Sequence, residues 1–270
     1  MAPAQIKNSY NSIGEIDTDT HPSTLELKLC VTNTSLRYFV LSASHQQVIF
    51  FGDYTMHHIS NTNELVQRIE KIYEKDEVLQ LAFGKVLIGI DEKYSLVPAE
   101  FSFMINRNEQ LSQDCNGTEI VYEYPGQLVS VLQRLFAGAQ LLHLNSTYLK
   151  LLPLYDDGAR ELFVNISKGH LDIIRFDAEQ KLQLMNRYEY QTATDFIYFL
   201  LLCSDELKID RENTKLVLLG EVSMQSKIYE LCHRYFKNVS FITAPEGVQF
   251  SKLFAEFPRH LHFNLYNLSI

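Results

Sequence analysis

Few places along this chain bring chemically capable side chains close together. His57-His58 and His260-x-His262 are imidazole pairs of the kind that can chelate a borderline cation. Neither pair has an acidic or cysteine residue at ligand spacing, so capping or surface roles are expected and a metal site is not. Lys168-Gly169-His170 places an ammonium beside a turn glycine, where it could attract a phosphate, although a solvated turn lysine is the simpler reading. The four cysteines (Cys30, Cys115, Cys203, Cys232) are far apart with no CxxC spacing, and three of them sit inside apolar patterns. They read as small core residues in a reducing compartment rather than as a disulfide framework. There is no Gly-x-Ser-x-Gly elbow, Walker loop or dinucleotide-binding glycine fingerprint, so any serine nucleophile would be an arbitrary choice.

With so little local chemistry, function must come from the fold that gathers distant residues. The 270 residues suffice for one large domain or two modest ones. Hydrophobic residues make up 46% and charged residues 21%, as in ordinary globular proteins. The net charge of −9 is spread out and no Lys/Arg run occurs, which argues against a general nucleic-acid binder. Residues 1–23 are polar and aperiodic, so a flexible arm without a signal peptide is expected. The longest apolar run, Phe196 to Cys203, falls far short of the ~20 residues that span a bilayer, so no transmembrane segment and a cytoplasmic location are expected.

Ordered structure should begin at Thr24. Leu25, Leu27 and Leu29 alternate with Glu26, Lys28 and Cys30, the mark of a half-buried strand. Leu36 to Leu41 reads as a second strand covered on both faces, and Val48 to Phe51 as a third. Short turns between them imply an antiparallel meander. Asn61 to Asn63 can cap a helix carrying Leu65, Val66, Ile69 and Ile72 on one face. Val86 to Ile90 then forms a strand parallel to the first. Ser112 to Gly117 reads as a polar loop, Glu119 to Tyr124 as an edge strand, Leu128 to Phe136 as a helix and Gln140 to Leu144 as a strand. Asn145 caps a last helix that Pro153 ends. Tyr155-Asp156-Asp157-Gly158 marks the boundary between a first lobe at 24–156 and a second at 157–270.

The second half repeats the first. Leu162 to Ile166, Leu171 to Phe176 and Leu182 to Tyr188 form a meander, followed by a helix from about Thr194 to Leu207. That helix is apolar almost all round, which predicts burial between layers or domains. Lys215 to Leu219 is strand four. Met224, Ile228, Leu231, Cys232 and Tyr235 line the next helix, and Val239 to Ile242 is strand five. Phe250 to Phe257 reads as a third helix, and the apolar tail His260 to Ile270 should pack back. Laid over each other, Leu36 falls on Leu171, Phe39 on Ile174, and Leu87-Ile88-Gly89 on Leu218-Leu219-Gly220. The predicted architecture is α/β, with two lobes that each hold a mixed five-stranded sheet flanked by helices.

This duplicated order resembles the actin-like ATPase superfamily and its ribonuclease H-like fold. Segments such as FVNISKGHLDIIRFD and LVLLGEVS are similar to an uncharacterised bacterial family within it. In active members of the superfamily each lobe carries Asp-x-Gly at its first hairpin. The Asp holds the metal or the attacking water, and the Gly lets backbone N–H groups approach the phosphates. The matching positions here are Asn165 and Ser167 in the second lobe and Cys30 and Thr32 in the first. The adenosine-binding Gly pair after strand four corresponds to Gly220-Glu221, which adds a side chain and a negative charge. The resemblance and these departures together imply a non-catalytic binding or scaffolding module that has lost ATP hydrolysis. Its partner would be an unknown protein or a second copy, and neither cofactor nor metal is expected. The alternative is a divergent ATP-dependent kinase or phosphotransferase, taking ATP with Mg in an interlobe cleft and using a relocated carboxylate such as Asp172 or Glu26. A third reading is an assembly component that docks through an exposed tail, Leu261 to Leu268.

Overall fold

The alternating apolar residues at the start of each half do build antiparallel meanders. The computed structural model describes residues 9–16, 21, 24–44, 46–57, 59–107, 110–155, 161–243 and 248–269. The chain divides into two compact units. Unit 1 comprises Met1–Thr147, Glu246–Glu256 and Asn264–Ile270; unit 2 comprises Tyr148–Pro245 and Phe257–Phe263. The division thus falls before Tyr148 rather than at 156/157, residues 156–160 lie outside the described ones, and two C-terminal segments belong to unit 1.

Unit 1 is built from β1 (Ser9–Gly14), β2 (Leu25–Val31), β3 (Ser35–Ser42), β4 (Gln47–Thr55), α1 (Thr62–Lys75), β5 (Lys85–Ile90), β6 (Tyr94–Pro98), β7 (Leu111–Cys115), β8 (Thr118–Tyr122), α2 (Gly126–Leu135) and β9 (Gln140–His143). Its main sheet runs in the order β1-β4-β3-β2-β5-β9. β2 and β3 are buried along nearly their whole length, because side chains pack on both faces. α1 starts where expected: the Asn61 side chain accepts from Glu64 N–H, and Leu65, Val66, Ile69 and Ile72 form its buried face.

Unit 2 holds α3 (Ser146–Leu151, which the division cuts), β10 (Glu161–Ser167), β11 (His170–Phe176), β12 (Leu182–Glu189), α4 (Ala193–Glu206), β13 (Lys215–Gly220), α5 (Lys227–Tyr235) and β14 (Asn238–Phe241). The sheet order is β12-β11-β10-β13-β14, the same sequence of pairings as β4-β3-β2-β5-β9 in unit 1. One face of this sheet (Leu162, Val164, Ile166, Leu216, Leu218) packs with Phe196 and Leu200 of α4 and Leu231 and Cys232 of α5. Past unit 2, β15 (Gln249–Phe250) pairs in parallel with β4. A final short helix, α6 (Phe263–Tyr266), buries Leu265 and Tyr266, and Leu268 beyond it is buried as well. The sheet of unit 1 therefore carries β1 and β15 beyond the expected five strands.

Several expectations need correction. The supposed flexible arm contains β1, antiparallel to β4 from Ser9↔Thr55 to Gly14↔Phe50. Its polar sequence hides it, because backbone pairing and the stacking of Tyr10 on Tyr54 at 4.3 Å hold it. The supposed loop Ser112 to Gly117 is a hairpin, and β8 is the centre of a three-stranded sheet β6-β8-β7 rather than an edge. Its turn is Asn116-Gly117, both at positive φ, the two-residue pattern that closes a hairpin. Phe250 to Phe257 forms β15 and a 3₁₀ turn instead of a helix. Helix α4 buries Phe196, Ile197, Leu200 and Cys203 but exposes Tyr198 and Leu202, so it lies on a surface. Met224 precedes α5 and is exposed.

Candidate functional site

Neighbouring strands place Asn165, Asp172 and Arg187 in one row across the unit 2 sheet, since Asn165 pairs with Asp172 and Asp172 with Arg187. All three side chains lie on the sheet face away from α4 and α5. Asp172 is 0% exposed and Arg187 13% by side chain. The carboxylate accepts from Arg187 Nε at 2.8 Å and Nη2 at 3.1 Å, and from Asn165 Nδ2 at 3.1 Å. Such a pair satisfies itself, and removing one member leaves an uncompensated buried charge that costs about 3–5 kcal/mol. Asp172 therefore sits inside the fold rather than at an open cleft mouth.

The other end of Asn165 meets the turn after β13. Gly220 has φ +82, and a Cβ there would lie 2.2 Å from Ile166 O and 2.6 Å from Asn165 Oδ1, so only glycine fits. The backbone of the turn is already engaged: Gly220 N–H donates to His260 O at 2.8 Å, Glu221 N–H to Ile166 O at 2.6 Å, and Val222 N–H to Gly220 O at 2.9 Å. The Glu221 side chain is exposed. Ser167 ends β10, and its carbonyl accepts from the Tyr190 hydroxyl at 2.8 Å. Burial, then the Glu221 charge, raises the Tyr190 phenol above its ordinary value. Asn165, Ser167, Gly220 and Glu221 thus do converge, at the carboxyl ends of the parallel strands β10 and β13, where ligands of open α/β sheets bind. A cavity of about 190 Å³ is lined by Glu161 and Lys215 from the starts of those strands and by Phe241 and Thr243 from the end of β14 and beyond it.

In unit 1 the corresponding row is Cys30, Arg37 and Asp53, with Arg37 Nε 3.2 Å from Asp53 Oδ1. Cys30 is buried, and burial, then the nearby Asp91 charge, raises its thiol. With Cys30 matched to Asn165, the parallel pairings Cys30↔Gly89 and Asn165↔Leu219 show that Gly89 matches Leu219 and Ile90 matches Gly220. The overlay of the two glycines is therefore off by one residue. Gly89 has a different task, because a Cβ there would lie 2.3 Å from Leu144 Cδ2.

The remaining candidates are scattered. Glu26 is 3.5 Å from Lys85 Nζ in an ion pair. Lys168 is exposed in its turn beside Gly169 at φ +90. His57 is exposed, and His58 lies outside the described residues. His260 is fixed by Val222, and of the tail's apolar residues Phe263, Leu265, Tyr266 and Leu268 are buried while Leu261 is half-buried. Among the described residues no group of three or more His, Cys, Asp and Glu could hold a metal ion, and no helix is long and apolar enough to cross a membrane. Sequence reasoning missed Arg187 and Asp91, whose relation to the row depends on strand register; the meander's alternation was the one usable signal.

No protein of curated function matches the chain. Among solved structures, it is similar to a protein of Bacteroides thetaiotaomicron with an actin-like ATPase fold and unknown function. That match has a TM-score of 0.71 at 16% identity, covering 84% of this chain and 94% of that one. It is also similar to the PilM-PilN type IV pilus biogenesis complex (TM-score 0.53, 12% identity, 89% and 97% covered). A third match is the ethanolamine utilization protein EutJ of Carboxydothermus hydrogenoformans (0.51, 8%, 91% and 89%). At such identities the likeness establishes the fold, which is that of the actin-like ATPases. The profile described as "Protein of unknown function (DUF3822)" matches residues 15–239, and the chain belongs to that family.

Proposed function

We propose that this protein is a non-catalytic binding or scaffolding module on an actin-like ATPase fold, without ATP hydrolysis. The observation that carries the reading is the row Asn165-Asp172-Arg187. The position where the resemblance calls for a metal-holding carboxylate has an amide, and that amide is spent on a buried carboxylate already paired with arginine. Mg²⁺ demands hard oxygen ligands. Asn165 Oδ1 is packed over Gly220, and Cys30 in unit 1 is a buried thiol, so these residues do not fit a Mg-nucleotide. Glu221 adds an exposed negative side chain next to the same corner. A kinase working through Asp172 is disfavoured by that residue's full burial.

A protein partner is the expected ligand. On the unit 1 insert that carries β6 to β8, Phe103 is 81% exposed, Met104 71% and Phe101 46%, an apolar cluster of the kind that marks interaction surfaces. The insert also holds a cavity of about 390 Å³ with Glu92 and Glu123 in its lining. PilM, solved in complex with PilN, is a fold precedent for partner binding. Four buried free cysteines suit a reducing, cytoplasmic setting.

Calorimetry with Mg-ATP together with a phosphate-release assay tests the reading. The expected result is no saturable heat and no release above buffer. Tight binding, or turnover abolished by Asn165→Ala, would overturn it.

A further inference from the structure

The segment Phe257–Phe263 places the His260 imidazole in a corner of unit 2 that has an aromatic ring, Phe241, as one wall. The His260 ring lies 4.1 Å from the Phe241 ring, centroid to centroid, with 21° between their planes. Phe241 is itself stacked on Tyr229 at 5.4 Å and 9°. His260 Nε2 lies 2.9 Å from the carbonyl oxygen of Val222. A carbonyl can only accept, so Nε2 carries the proton and donates it. The main-chain carbonyl of His260 accepts from Gly220 N–H at 2.8 Å. One residue therefore closes the turn after β13 twice, once through its backbone and once through its ring. The ring is half-buried, and that burial lowers its proton affinity below the ordinary value, against the opposing pull of the Val222 carbonyl.

These contacts are the ones a protein uses to hold a free planar heterocycle. An aromatic face supplies stacking, and a backbone carbonyl receives a ring N–H, which fixes orientation. An ordinary core histidine needs only a partner for its polar atoms. This one has a stacked face, a carbonyl acceptor 2.9 Å from its Nε2, and a place on a separate segment that returns to unit 2 after the chain has left it.

We propose that the corner formed by Phe241, Val222 and Gly220 is a slot for a planar N–H-bearing heteroaromatic ring of imidazole or purine type, and that His260 is its built-in occupant. The inference deepens the proposed function: the turn where nucleotide chemistry would be expected is filled by the chain's own ring.

The test is chemical rescue in the full-length chain. His260→Gly removes the ring, and the variant is titrated with imidazole while thermal unfolding is followed. The expected result is a lowered Tm that imidazole restores saturably at roughly millimolar concentration, the range open to a five-atom ligand. The wild-type Tm should not respond in this way. 1-Methylimidazole has the same ring without an N–H, and should not restore the variant. Equal rescue by 1-methylimidazole, or no saturable response to imidazole in a folded variant, overturns the proposal. Should the glycine variant not fold, His260→Ala replaces it. The wild-type protein gives an independent reading, because proton-coupled ¹⁵N spectra must show Nε2–H with a bare Nδ1, and the opposite tautomer overturns the slot. The two proposals fail separately. Wild-type binding of Mg-ATP would sink the non-catalytic reading and leave the rescue result standing, whereas absent rescue in a nucleotide-blind protein sinks the slot alone.

Discussion

Restoring the carboxylate at the unit 2 hairpin should damage the protein, and in a pH-dependent way. In Asn165→Asp, the donor 3.1 Å from Asp172 Oδ2 becomes an oxygen, so two buried carboxylates face each other. Two unit charges about 4 Å apart repel by roughly 4 kcal/mol at an effective dielectric of 20. The pair can escape by taking up a proton, which then bridges the two groups. Holding a carboxyl of ordinary pKa near 3.9 protonated at pH 7 costs about 1.36 kcal/mol per unit, again about 4 kcal/mol. Both routes set a ceiling near 4 kcal/mol at pH 7. The sign follows from proton counting. Above about pH 4 the folded variant keeps a proton that the unfolded chain has released, so its stability relative to wild type falls as pH rises toward 7. Urea denaturation of both proteins between about pH 4.5 and 7.5 reads this directly. The difference should be under about 1 kcal/mol at the acid end and grow to several at neutrality. A difference that stays flat with pH, or a variant as stable as wild type at pH 7, would refute the row as described. The variant should also release no phosphate from ATP.

Other sites give contrasts of the same kind. Gly220→Ala combines φ +82 with a Cβ 2.2 Å from a backbone oxygen and should cost about 3 kcal/mol or more. Gly169→Ala, at φ +90 with open space around it, should cost only about 1 kcal/mol in the same denaturant titration. Lys28 is buried, its pKa is lowered to about 8 chiefly by that burial, and its Nζ donates to Tyr266 O at 2.8 Å. Between pH 8 and the unfolded value of 10.5 the unfolded chain binds more protons, so this group's contribution to stability rises with pH. The stability of Lys28→Met relative to wild type should therefore drop by about 2 kcal/mol from pH 7 to 9.5, with tyrosine ionisation cancelling in the comparison. Asp76 accepts from the hydroxyls of Tyr38 (2.6 Å) and Tyr54 (2.8 Å) and from the backbone of Val78 and Leu79. Tyr38→Phe should cost about 2 kcal/mol, the weight of a hydrogen bond to a buried charge; a loss below about 0.5 kcal/mol by urea titration would contradict that bond.

The meanders, α1 with its Asn61 cap and the parallel placement of β5 and β13 were legible because period-2 and period-3.6 patterns are local. β1 was not, since Ser9–Gly14 has almost no apolar alternation and is held by pairing with a strand some forty residues on. In the segment LDIIRFD a charged Asp172 between apolar neighbours reads as solvent-facing. Only the register that sets Arg187 opposite it shows why burial is tolerated. By spacing His260 reads as a capping or surface histidine beside His262, whereas its ring is placed by Phe241 and Val222, residues that no spacing rule connects to it.

The two hairpin rows support the non-catalytic reading more strongly together than either does alone. Unit 1 places Cys30, Arg37 and Asp53 across three strands, and unit 2 places Asn165, Asp172 and Arg187 at the same register. In both, a neutral residue stands where the resemblance calls for an anionic oxygen, and the next two strands carry one acid and one arginine. The order of the charges is reversed between the units, yet each row neutralises itself. A catalytic hairpin needs the opposite balance, an anionic oxygen left over for a cation. Had only one row closed in this way, the other could still anchor a metal. Closure of both, with opposite polarity, fits rows set by the stability of each sheet rather than by a shared ligand. On that argument, restoring one carboxylate adds repulsion and no site, the outcome expected for Asn165→Asp.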